Sequence, residues 1–385
     1  MDGLSSERVS WKKRSEDLQQ ASKYILGNTV LASGVVAYLG AFPKDYRAEA
    51  VQSWTKLITD AEIVIIDGFS LRNSCSDELT IGNWVDEFSL PNDDLSIENA
   101  IILHESSRYP LIIDPQIQAN RWLRKLLKKR DMIVIKPSDD SNDVTNQVSR
   151  AIQNGLPVIL ENAGENIGSA IESILEQGKK REGGIEMMKF LDKFYTYDKN
   201  FQFFITTKLA NPHYPPEICA QVTLLNFTAT PEGLQDQLVN IAVNKEHASM
   251  ASKWQLLIKR FYDFKTKINE SEKEILSLLS NQTGNILDDE KLIGTLNNSK
   301  KISKEAEMGL NDIEFNRKNI KKTAETYKEV GFRVGHLFFC VMDLAGVEPM
   351  YQFSLDWFTE LYTKAIATEP KNKETRVQDI VRIFT

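Results

Sequence analysis

A five-residue apolar run, Tyr109–Ile113, stands directly before the polar segment 114–121, whose sequence is DPQIQANR. Apolar runs of this length are typical of strands buried on both faces, which occur in parallel sheets covered by helices. From about Pro43 to Pro231, short apolar runs alternate with helical patterns, and this alternation predicts an α/β unit with a mostly parallel sheet. The predicted strands are residues 63–66, 109–113, 132–135, 158–160 and 201–205.

Two further regions differ from this alternation. Residues 183–200 contain two glycines and alternating Met188, Phe190, Phe194 and Tyr195, and they predict a β-hairpin added to the core. All 12 prolines lie outside residues 232–348, so long helices can run through that span.

The segment 114–121 lies where a nucleotide-binding α/β protein carries its phosphate-binding loop. That loop requires G-x-x-x-x-G-K-[ST]: glycines bring backbone N–H groups to phosphate, lysine contacts the β- and γ-phosphates, and a hydroxyl binds Mg²⁺. Residues 114–121 contain no glycine, lysine, serine or threonine, and Pro115 removes one N–H donor. The pattern occurs nowhere else in the 385 residues. The sequence therefore predicts a nucleotide-pocket scaffold without its phosphate-binding residues.

Six segments resemble, in the same order, successive blocks of the fifth AAA+ module of a dynein heavy chain. They are NDDLSIENAIILHESSRYPLIIDPQIQANRW, GLPVILENAGENI, FFITTKLANPHYPPEI, LLNFTATPEGLQDQL, GNILDDEKLI and PMYQFSLDWFTELY. The motifs IDPQIQAN and TKLANPHY are closer to axonemal (ciliary) dyneins than to cytoplasmic ones. The resemblance implies an α/β fold: an AAA+ P-loop-like large subdomain with a parallel sheet, a helical small subdomain, and a long antiparallel coiled-coil hairpin.

The resemblance also implies the domain boundaries. Residues 1–40 are expected to form the end of a stalk helix and the entry to the module, and residues 41–240 the AAA+ large subdomain. Residues 241–345 would form the small subdomain with its buttress hairpin, and residues 346–385 a helical connection toward the next module.

The N-terminal pattern is helical over residues 4–38, with Leu4, Trp11, Leu18 and Ile25 seven residues apart. This spacing places one narrow apolar stripe on the helix, as in a coiled-coil seam, although an amphipathic surface helix has the same pattern. The resemblance favours the returning helix of the dynein stalk.

Two heptad-like series on either side of Gly284 predict an antiparallel helical hairpin. The first is Trp254, Leu257, Phe261, Phe264, Ile268, Ile275 and Leu278, and the second is Leu296, Ala306, Leu310, Ile313, Ile320, Ala324 and Tyr327. Helices of about 40 residues would extend ~60 Å. A compact helical bundle is the alternative, because the seam positions Ser299, Ser303, Ala306 and Arg317 are small or polar.

An AAA+ ATPase needs an Asp near Mg²⁺ and a Glu that polarises water at the end of its third strand. Here the matching strand ends in Glu161 and Asn162, and an amide cannot accept a proton from water. A capping pair at a strand-to-helix turn explains these two residues better.

Two further AAA+ positions can be matched, although Thr-Thr-Lys at a strand end is equally common turn chemistry. Thr206, Thr207 or Asn211 would be the polar sensor, and Gln221 lacks the charge of a residue that contacts a neighbouring module's γ-phosphate. The vestigial pocket is predicted to contain Asp93, Asp94, Asp114, Gln116, Gln118, Asn120, Glu161, Asn162 and Asn211.

Composition excludes several other classes of function. The net charge of −7 and the pI near 5.4 argue against binding to nucleic acid or directly to microtubules. No segment has ~18 uncharged apolar residues, so no membrane span is expected. The three cysteines have no CxxC spacing, which suits free thiols in the cytoplasm, and the four histidines have no metal-like spacing. We predict no catalytic residue, metal or cofactor.

The sequence and the resemblance together predict a non-catalytic structural AAA+ module of a microtubule-motor ATPase, located in the cytoskeleton of a cilium or flagellum axoneme. It would couple ring movement to the stalk through the helical hairpin. Its expected partners are neighbouring AAA+ modules of the same heavy chain, the stalk coiled coil and dynein complex subunits, with microtubules contacted only indirectly. One alternative is a regulatory nucleotide-binding module without hydrolysis, and another is a coiled-coil scaffold joined to an unrelated α/β domain.

Overall fold

The structure is a computed structural model that describes residues 2–280, 322–368 and 376–383, together with single positions between 294 and 320. The chain divides into two compact units. The first comprises Lys23–Leu234 and Phe353–Asp356, and the second comprises Met1–Ser22, Gln235–Gln352 and Trp357–Thr385.

The first unit is built on a five-stranded parallel sheet in the order β2-β3-β7-β1-β8, and it also contains a three-stranded antiparallel sheet in the order β4-β5-β6. The strands are β1 (Tyr109–Ile113), β2 (Ile133–Ile135), β3 (Pro157–Leu160), β4 (Lys179–Glu182), β5 (Ile185–Phe190), β6 (Lys193–Thr196), β7 (Gln202–Thr207) and β8 (Val222–Asn226). The predicted parallel sheet is therefore confirmed.

The helices of the described residues alternate with these strands in the first unit and follow one another in the second. Those up to β8 are α1 (Asp2–Tyr38), α2 (Lys44–Asp60), α3 (Leu71–Cys75), α4 (Glu78–Gly82), α5 (Asp94–Glu105), α6 (Gln118–Leu126), α7 (Ser141–Asn154), α8 (Ser169–Leu175) and α9 (Pro216–Gln221). Those after β8 are α10 (Pro231–Glu246), α11 (Ala248–Ser280), α12 (Lys328–Asp343), α13 (Leu355–Thr368) and α14 (Arg376–Ile383).

Helices cover both faces of the parallel sheet, and each strand contributes side chains to both faces because alternate side chains point in opposite directions. Ile112 of β1 and Ile159 of β3 belong to one core cluster, which includes residues of α1, α5 and α6. Leu111 and Val158 belong to the other, which includes residues of α7, α8 and α9. The first unit is thus a three-layer α/β arrangement, which explains why its strands are continuous apolar runs.

A buried arginine ties the end of α1 to this sheet. Arg47 donates to the carbonyl oxygens of Phe42 and Gly40 at 2.9 Å each, and it also bonds Glu98 at 3.2 Å and the side chain of Asn99. Asn99 in turn donates to a carbonyl of β8 at 2.6 Å. Only 3% of Arg47 is exposed, so its guanidinium depends on these acceptors.

In the second unit, α12 packs closely on α10. A Cβ on Gly331 would lie 2.6 Å from Val239 and 2.8 Å from the carbonyl oxygen of Gln235, so the two helix backbones approach closely at this glycine. Phe338 packs on Phe358 of α13, with ring centroids 5.1 Å apart. The described residues from 235 to 383 contain helices and no strand.

The strand predictions were wrong or incomplete in three places. Residues 63–66 form no strand, since the carbonyl of Val64 packs against Gly27 and the N–H of Ile66 donates to the side chain of Asn28, so this backbone lies against α1. The predicted hairpin is present as β5 and β6, but β4 extends it to three strands. The edge strand β8 was not predicted.

The predicted N-terminal helix is confirmed, since α1 runs continuously for 37 residues. The turn expected at Gly284 and the seam positions Leu296, Ser299, Ser303, Ala306, Leu310, Ile313 and Arg317 lie outside the described residues. Among the helices that the structure describes, none is long and apolar enough for a membrane crossing.

Candidate functional site

A cleft of about 600 Å³ opens at the carboxyl ends of β1, β3 and β7. This edge is where open parallel sheets place their ligand sites, because the loops that follow neighbouring strands converge there. The residues that line the cleft are Asp114, Ile117, Asn120, Arg121, Arg124, Lys136, Pro137, Ser138, Glu161, Asn162, Thr206, Thr207 and Lys208.

Asp114 lies at the base of the cleft, directly after β1, and is 2% exposed. Its Oδ1 accepts the backbone N–H of Gln118 at 2.8 Å, and its Oδ2 accepts that of Asn120 at 2.9 Å. Burial raises the pKa of Asp114 to about 6, while hydrogen bonds from the N–H groups of Asn120, Gln118 and Ala119 and the charge of Arg121 act in the opposite direction. The carboxylate therefore caps α6 from inside the loop.

Glu161, at the end of β3, is held by two side chains of α6. Its Oε1 accepts a hydrogen bond from Nε of Arg124 at 2.7 Å and lies 2.6 Å from Nη2 of the same arginine. The same oxygen accepts from Nδ2 of Asn120 at 3.0 Å. The Nδ2 of Asn120 also lies 3.3 Å from the hydroxyl of Thr206 on β7. The carboxylate expected near Mg²⁺ is thus the centre of a network that joins α6, β3 and β7.

The residues that follow Glu161 form a tight turn. Asn162 has φ of 61°, a left-handed conformation that asparagine tolerates better than most residues. The N–H of Ala163 donates to the carbonyl of Thr206 at 2.9 Å, and the hydroxyl of Thr207 donates to the carbonyl of Ala163 at 2.7 Å. These bonds fix the turn that follows β3, whereas the N-cap of the next helix, α8, is Gly168 and no side chain caps it.

Four predicted pocket residues, Asp114, Asn120, Glu161 and Asn162, line the cleft together. Thr206 and Thr207 also line it, whereas Asn211 is exposed in the loop after β7 and does not. Asn211 thus lies outside the lining of this cleft, four residues beyond the end of β7.

The two acidic residues at the N-terminus of α5, Asp93 and Asp94, do not line this cleft either. Asp93 caps α5 by accepting the N–H of Ser96 at 3.0 Å, and burial raises its pKa. Asp94 forms an exposed ion pair with Lys44 at 3.0 Å. Their local role is helix capping and surface pairing.

Two glutamines of the loop also lie outside the cleft lining. Gln116 is buried, and its Oε1 accepts the N–H of Ala229 at 3.1 Å. Gln118 contributes its backbone N–H to Asp114. The two glutamines were assigned to the pocket from motif order alone, which does not give side-chain direction. Gln221, the last residue of α9, was expected to face a neighbouring module rather than this pocket.

Sequence reasoning missed the basic residues of the cleft: Arg121, Arg124, Lys136 and Lys208. Arg124 could have been found, because it follows Asn120 by one helical turn and its Nε lies 3.2 Å from the Asn120 Oδ1. Arg121 forms an ion pair with Asp356, a partner far away in sequence that no local pattern indicates.

No metal centre is present within the described part of the chain, where no group of three His, Cys, Asp or Glu residues is arranged to hold an ion. His104 pairs with Glu105 at 2.9 Å, and His213 lies 3.6 Å from Glu165. The three cysteines are free thiols.

Comparison with known proteins gives consistent similarities. Residues 82–306 match a family described as the ATP-binding dynein motor region. The chain is 40% identical over 387 aligned positions to dynein axonemal heavy chain 3 of Mus musculus and 37% identical over 387 positions to dynein axonemal heavy chain 1 of Homo sapiens. It is 36% identical over 370 positions to dynein axonemal heavy chain 6 of Homo sapiens. These alignments cover 100%, 100% and 96% of this chain but 9% of each relative.

Proposed function

The chain belongs to the dynein heavy-chain motor family, and from this membership we propose that it acts as a non-catalytic structural AAA+ module of an axonemal microtubule motor. It corresponds in this proposal to the fifth AAA+ module, with the domain boundaries inferred from sequence. Its role is to carry ring movement to the stalk through a helical hairpin. Membership of this family excludes the alternative in which the α/β domain is unrelated to dynein.

The observation that carries the non-catalytic role is the pairing of Glu161. A carboxylate that polarises water or binds Mg²⁺ acts through its negative charge, but Oε1 of Glu161 accepts from the cationic Arg124 at 2.7 Å and from Asn120 at 3.0 Å, so a positive charge already lies against it. The next residue, Asn162, cannot act as a general base. The loop after β1 offers neither the lysine nor the hydroxyl group that would bind phosphate and Mg²⁺.

A regulatory nucleotide-binding module is the second candidate. The description of the family as ATP-binding and a cleft of about 600 Å³ with four basic side chains favour it. This candidate is disfavoured because the loop after β1 lacks the groups that would form charge-assisted hydrogen bonds to phosphate, each worth ~1.5–3 kcal/mol. We therefore expect nucleotide binding to be weak.

Contacts along α11 support the hairpin. His247, just before α11, packs on Tyr327, with ring centroids 6.1 Å apart, and Phe264 of α11 lies 3.7 Å from the position of a Cβ on Gly309. The second contact lies 17 residues after the first in one segment (His247 to Phe264) and 18 residues before it in the other (Tyr327 to Gly309). Two antiparallel helices have this relation, because each residue advances both by the same rise.

Exposed apolar residues on α1 support its assignment as a stalk helix. Leu18 and Ile25, two members of the predicted stripe, are 63% and 61% exposed. A coiled-coil helix without its partner helix leaves its seam exposed in this way. The partner in this proposal is the outgoing stalk helix of the same heavy chain.

The remaining parts of the proposal follow from family membership. The partners are the adjacent AAA+ modules and other subunits of a dynein complex, with microtubules reached only through the stalk. The place of action is the axoneme of a cilium or flagellum. The similarity of the whole chain to three axonemal heavy chains supports both.

The proposal is tested by titrating the chain with Mg-ATP in a calorimeter and by measuring phosphate release. We expect a dissociation constant no tighter than millimolar and no hydrolysis above the buffer rate. The matched variant is Glu161→Gln, which removes the one carboxylate that could bind Mg²⁺ at the end of β3. Hydrolysis that disappears in this variant would contradict the proposal, and micromolar binding without hydrolysis would favour the regulatory module.

A further inference from the structure

The antiparallel sheet of the first unit has an open edge at β4. The strand β5 lies at its centre, with β4 on one side and β6 on the other. Two side chains of β5, Met188 and Phe190, are 0% and 1% exposed and belong to the core cluster that includes residues of α7 and α8. The edge strand β6 lies against α7, whereas β4 pairs with β5 alone among the described strands. One side of β4 therefore presents backbone N–H and C=O groups that no described strand uses.

The turn between β4 and β5 fixes the register of this edge. Gly183 and Gly184 have φ of 59° and 85°, and the ladder closes directly around them, with Glu182 opposite Ile185. Two-residue loops with positive φ at both positions match the twist of the flanking strands. The four residues of β4 are all exposed, so this strand is held by its turn and its ladder rather than by buried side chains.

The side chains of β4 make the open edge basic. Its sequence, KKRE, has three cations and one carboxylate, in a chain whose net charge is −7. The Nζ of Lys179 lies 4.5 Å from the ring centroid of Tyr197, and Lys180 pairs with Glu182 at 3.1 Å. For Arg181, the described part of the chain supplies no ion pair or hydrogen bond. The edge therefore attracts segments of negative charge.

These charges discriminate between possible occupants of the edge. Charged side chains on an edge strand oppose pairing with a strand of the same charge and favour one of opposite charge. In an antiparallel pair of two copies of β4, Lys180 of each copy would stand opposite Arg181 of the other, so a second copy is repelled. An acidic strand would instead place carboxylates opposite these cations, which stabilises cross-strand pairs.

We propose that β4 is a docking edge for an extended acidic segment of another protein, which adds to this sheet as a fourth strand. Main-chain hydrogen bonds to β4 hold the segment, and the side chains of the edge select its sequence. Lys179 and Arg181 share one face of the sheet, so acidic residues at alternate positions of the segment would meet both. The edge requires neither the cleft nor the helical hairpin, and the inference is independent of the proposed function.

The test measures the binding of a fluorescent peptide of alternating glutamate and threonine to the whole chain by anisotropy at pH 7. We expect saturable binding that weakens at least about tenfold between low and high salt, because salt screens exposed charges. A peptide with lysine in place of glutamate should not bind. A third peptide, methylated at all its amide nitrogens, keeps every carboxylate but donates no main-chain hydrogen bond, and we expect it to bind at least about tenfold more weakly.

Variants of the chain locate the site. Arg181→Glu reverses one charge on the open edge, and we expect peptide binding at least about fivefold weaker than in wild type. The matched control is Lys189→Glu, an equal change at an exposed position of the central strand β5, which should weaken binding by less than about twofold. If Arg181→Glu fails to fold, Arg181→Gln removes the charge alone, and it should weaken binding at least about threefold.

Three results would overturn the inference: no binding of the acidic peptide, equal binding of its methylated form, or equal effects of Arg181→Glu and Lys189→Glu. Sedimentation of the chain provides a further check. Self-association that Arg181→Glu abolishes would make a second copy of the chain the occupant of this edge, and would also overturn it.

Discussion

Asp114 is a buried carboxylate, and burial and hydrogen bonding have opposite effects on its pKa. The desolvation of the charge is the larger effect and raises the pKa of Asp114 from 3.8 to about 6. Between these two values the folded chain binds more protons than the unfolded chain. Stability must therefore fall as pH rises through this window, since protons bound preferentially by the folded state stabilise it.

We predict that wild type loses about 2 kcal/mol of unfolding free energy between pH 4 and pH 7 that Asp114→Asn does not lose. Urea unfolding at intervals of half a pH unit measures both curves. Parallel curves for wild type and Asp114→Asn would show that this carboxyl does not titrate in the window.

Arg47 is the residue on which the end of α1 depends. Its substitution by methionine keeps the length of the side chain but leaves the carbonyls of Gly40 and Phe42 and the side chain of Asn99 without their donor. We predict a loss of about 3–5 kcal/mol in unfolding free energy, as for other broken buried pairs. Arg150→Met, at an exposed position of α7, should change it by less than about 0.5 kcal/mol. Equal effects of the two variants would contradict the role of Arg47.

At the residue scale, the sequence could predict those cleft-lining residues that come directly after a strand. Asp114, Glu161 and Asn162 are of this kind, because the end of a buried strand fixes where the next side chain lies. Asn211 stands four residues beyond the end of β7, and its direction depends on a loop that no periodicity describes. The pairing of Arg121 with Asp356 depends on tertiary folding.

At the scale of elements, α1 is fitted to the first unit through glycines. A Cβ on Gly27 would lie 2.5 Å from the carbonyl oxygen of Val64, and a Cβ on Gly34 would lie 2.9 Å from the ring of Trp54. Glycine weakens a helix interior by about 1 kcal/mol relative to alanine. Close packing of the helix backbone is the reason for glycine at these positions.

We predict that Gly27→Ala destabilises the chain by about 1–3 kcal/mol despite the higher helix propensity of alanine, because the backbone at Val64 must move. Gly294→Ala is the matched control, since position 294 is helical and an added Cβ meets nothing within 4 Å. That change should be neutral or stabilise by up to about 1 kcal/mol. Thermal unfolding measures both, and stabilisation by Gly27→Ala would contradict this packing.

The strands illustrate what a sequence pattern can and cannot decide. The runs that became β1, β3 and β7 are apolar because helices cover both faces of the sheet. Residues 63–66 have the same composition, yet Val64 and Ile66 are 57% and 43% exposed, and this backbone bonds α1. The exposed strand β4, with the sequence KKRE, has no apolar pattern, and its place in the sheet comes from pairing with β5.

At the scale of the whole molecule, the proposed mechanism needs a stiff element that acts on a coiled coil with two registers. The helix α11, 33 residues long and with Ile275 buried at 1% exposure, is the candidate for this element. A proline at position 275 would cost ~3 kcal/mol locally, through a clash and a lost hydrogen bond. The parallel sheet of the first unit lies elsewhere in the chain, so its own melting transition should persist.

The most direct measurement is ATP turnover with and without microtubules in a full-length axonemal heavy chain that contains this chain. For Ile275→Pro we predict basal turnover within about twofold of wild type and stimulation by microtubules reduced at least fivefold. Glu274→Ala, an exposed change in the same turn, should leave both unchanged. Unchanged stimulation in Ile275→Pro, or equal loss of basal and stimulated turnover, would contradict the coupling role.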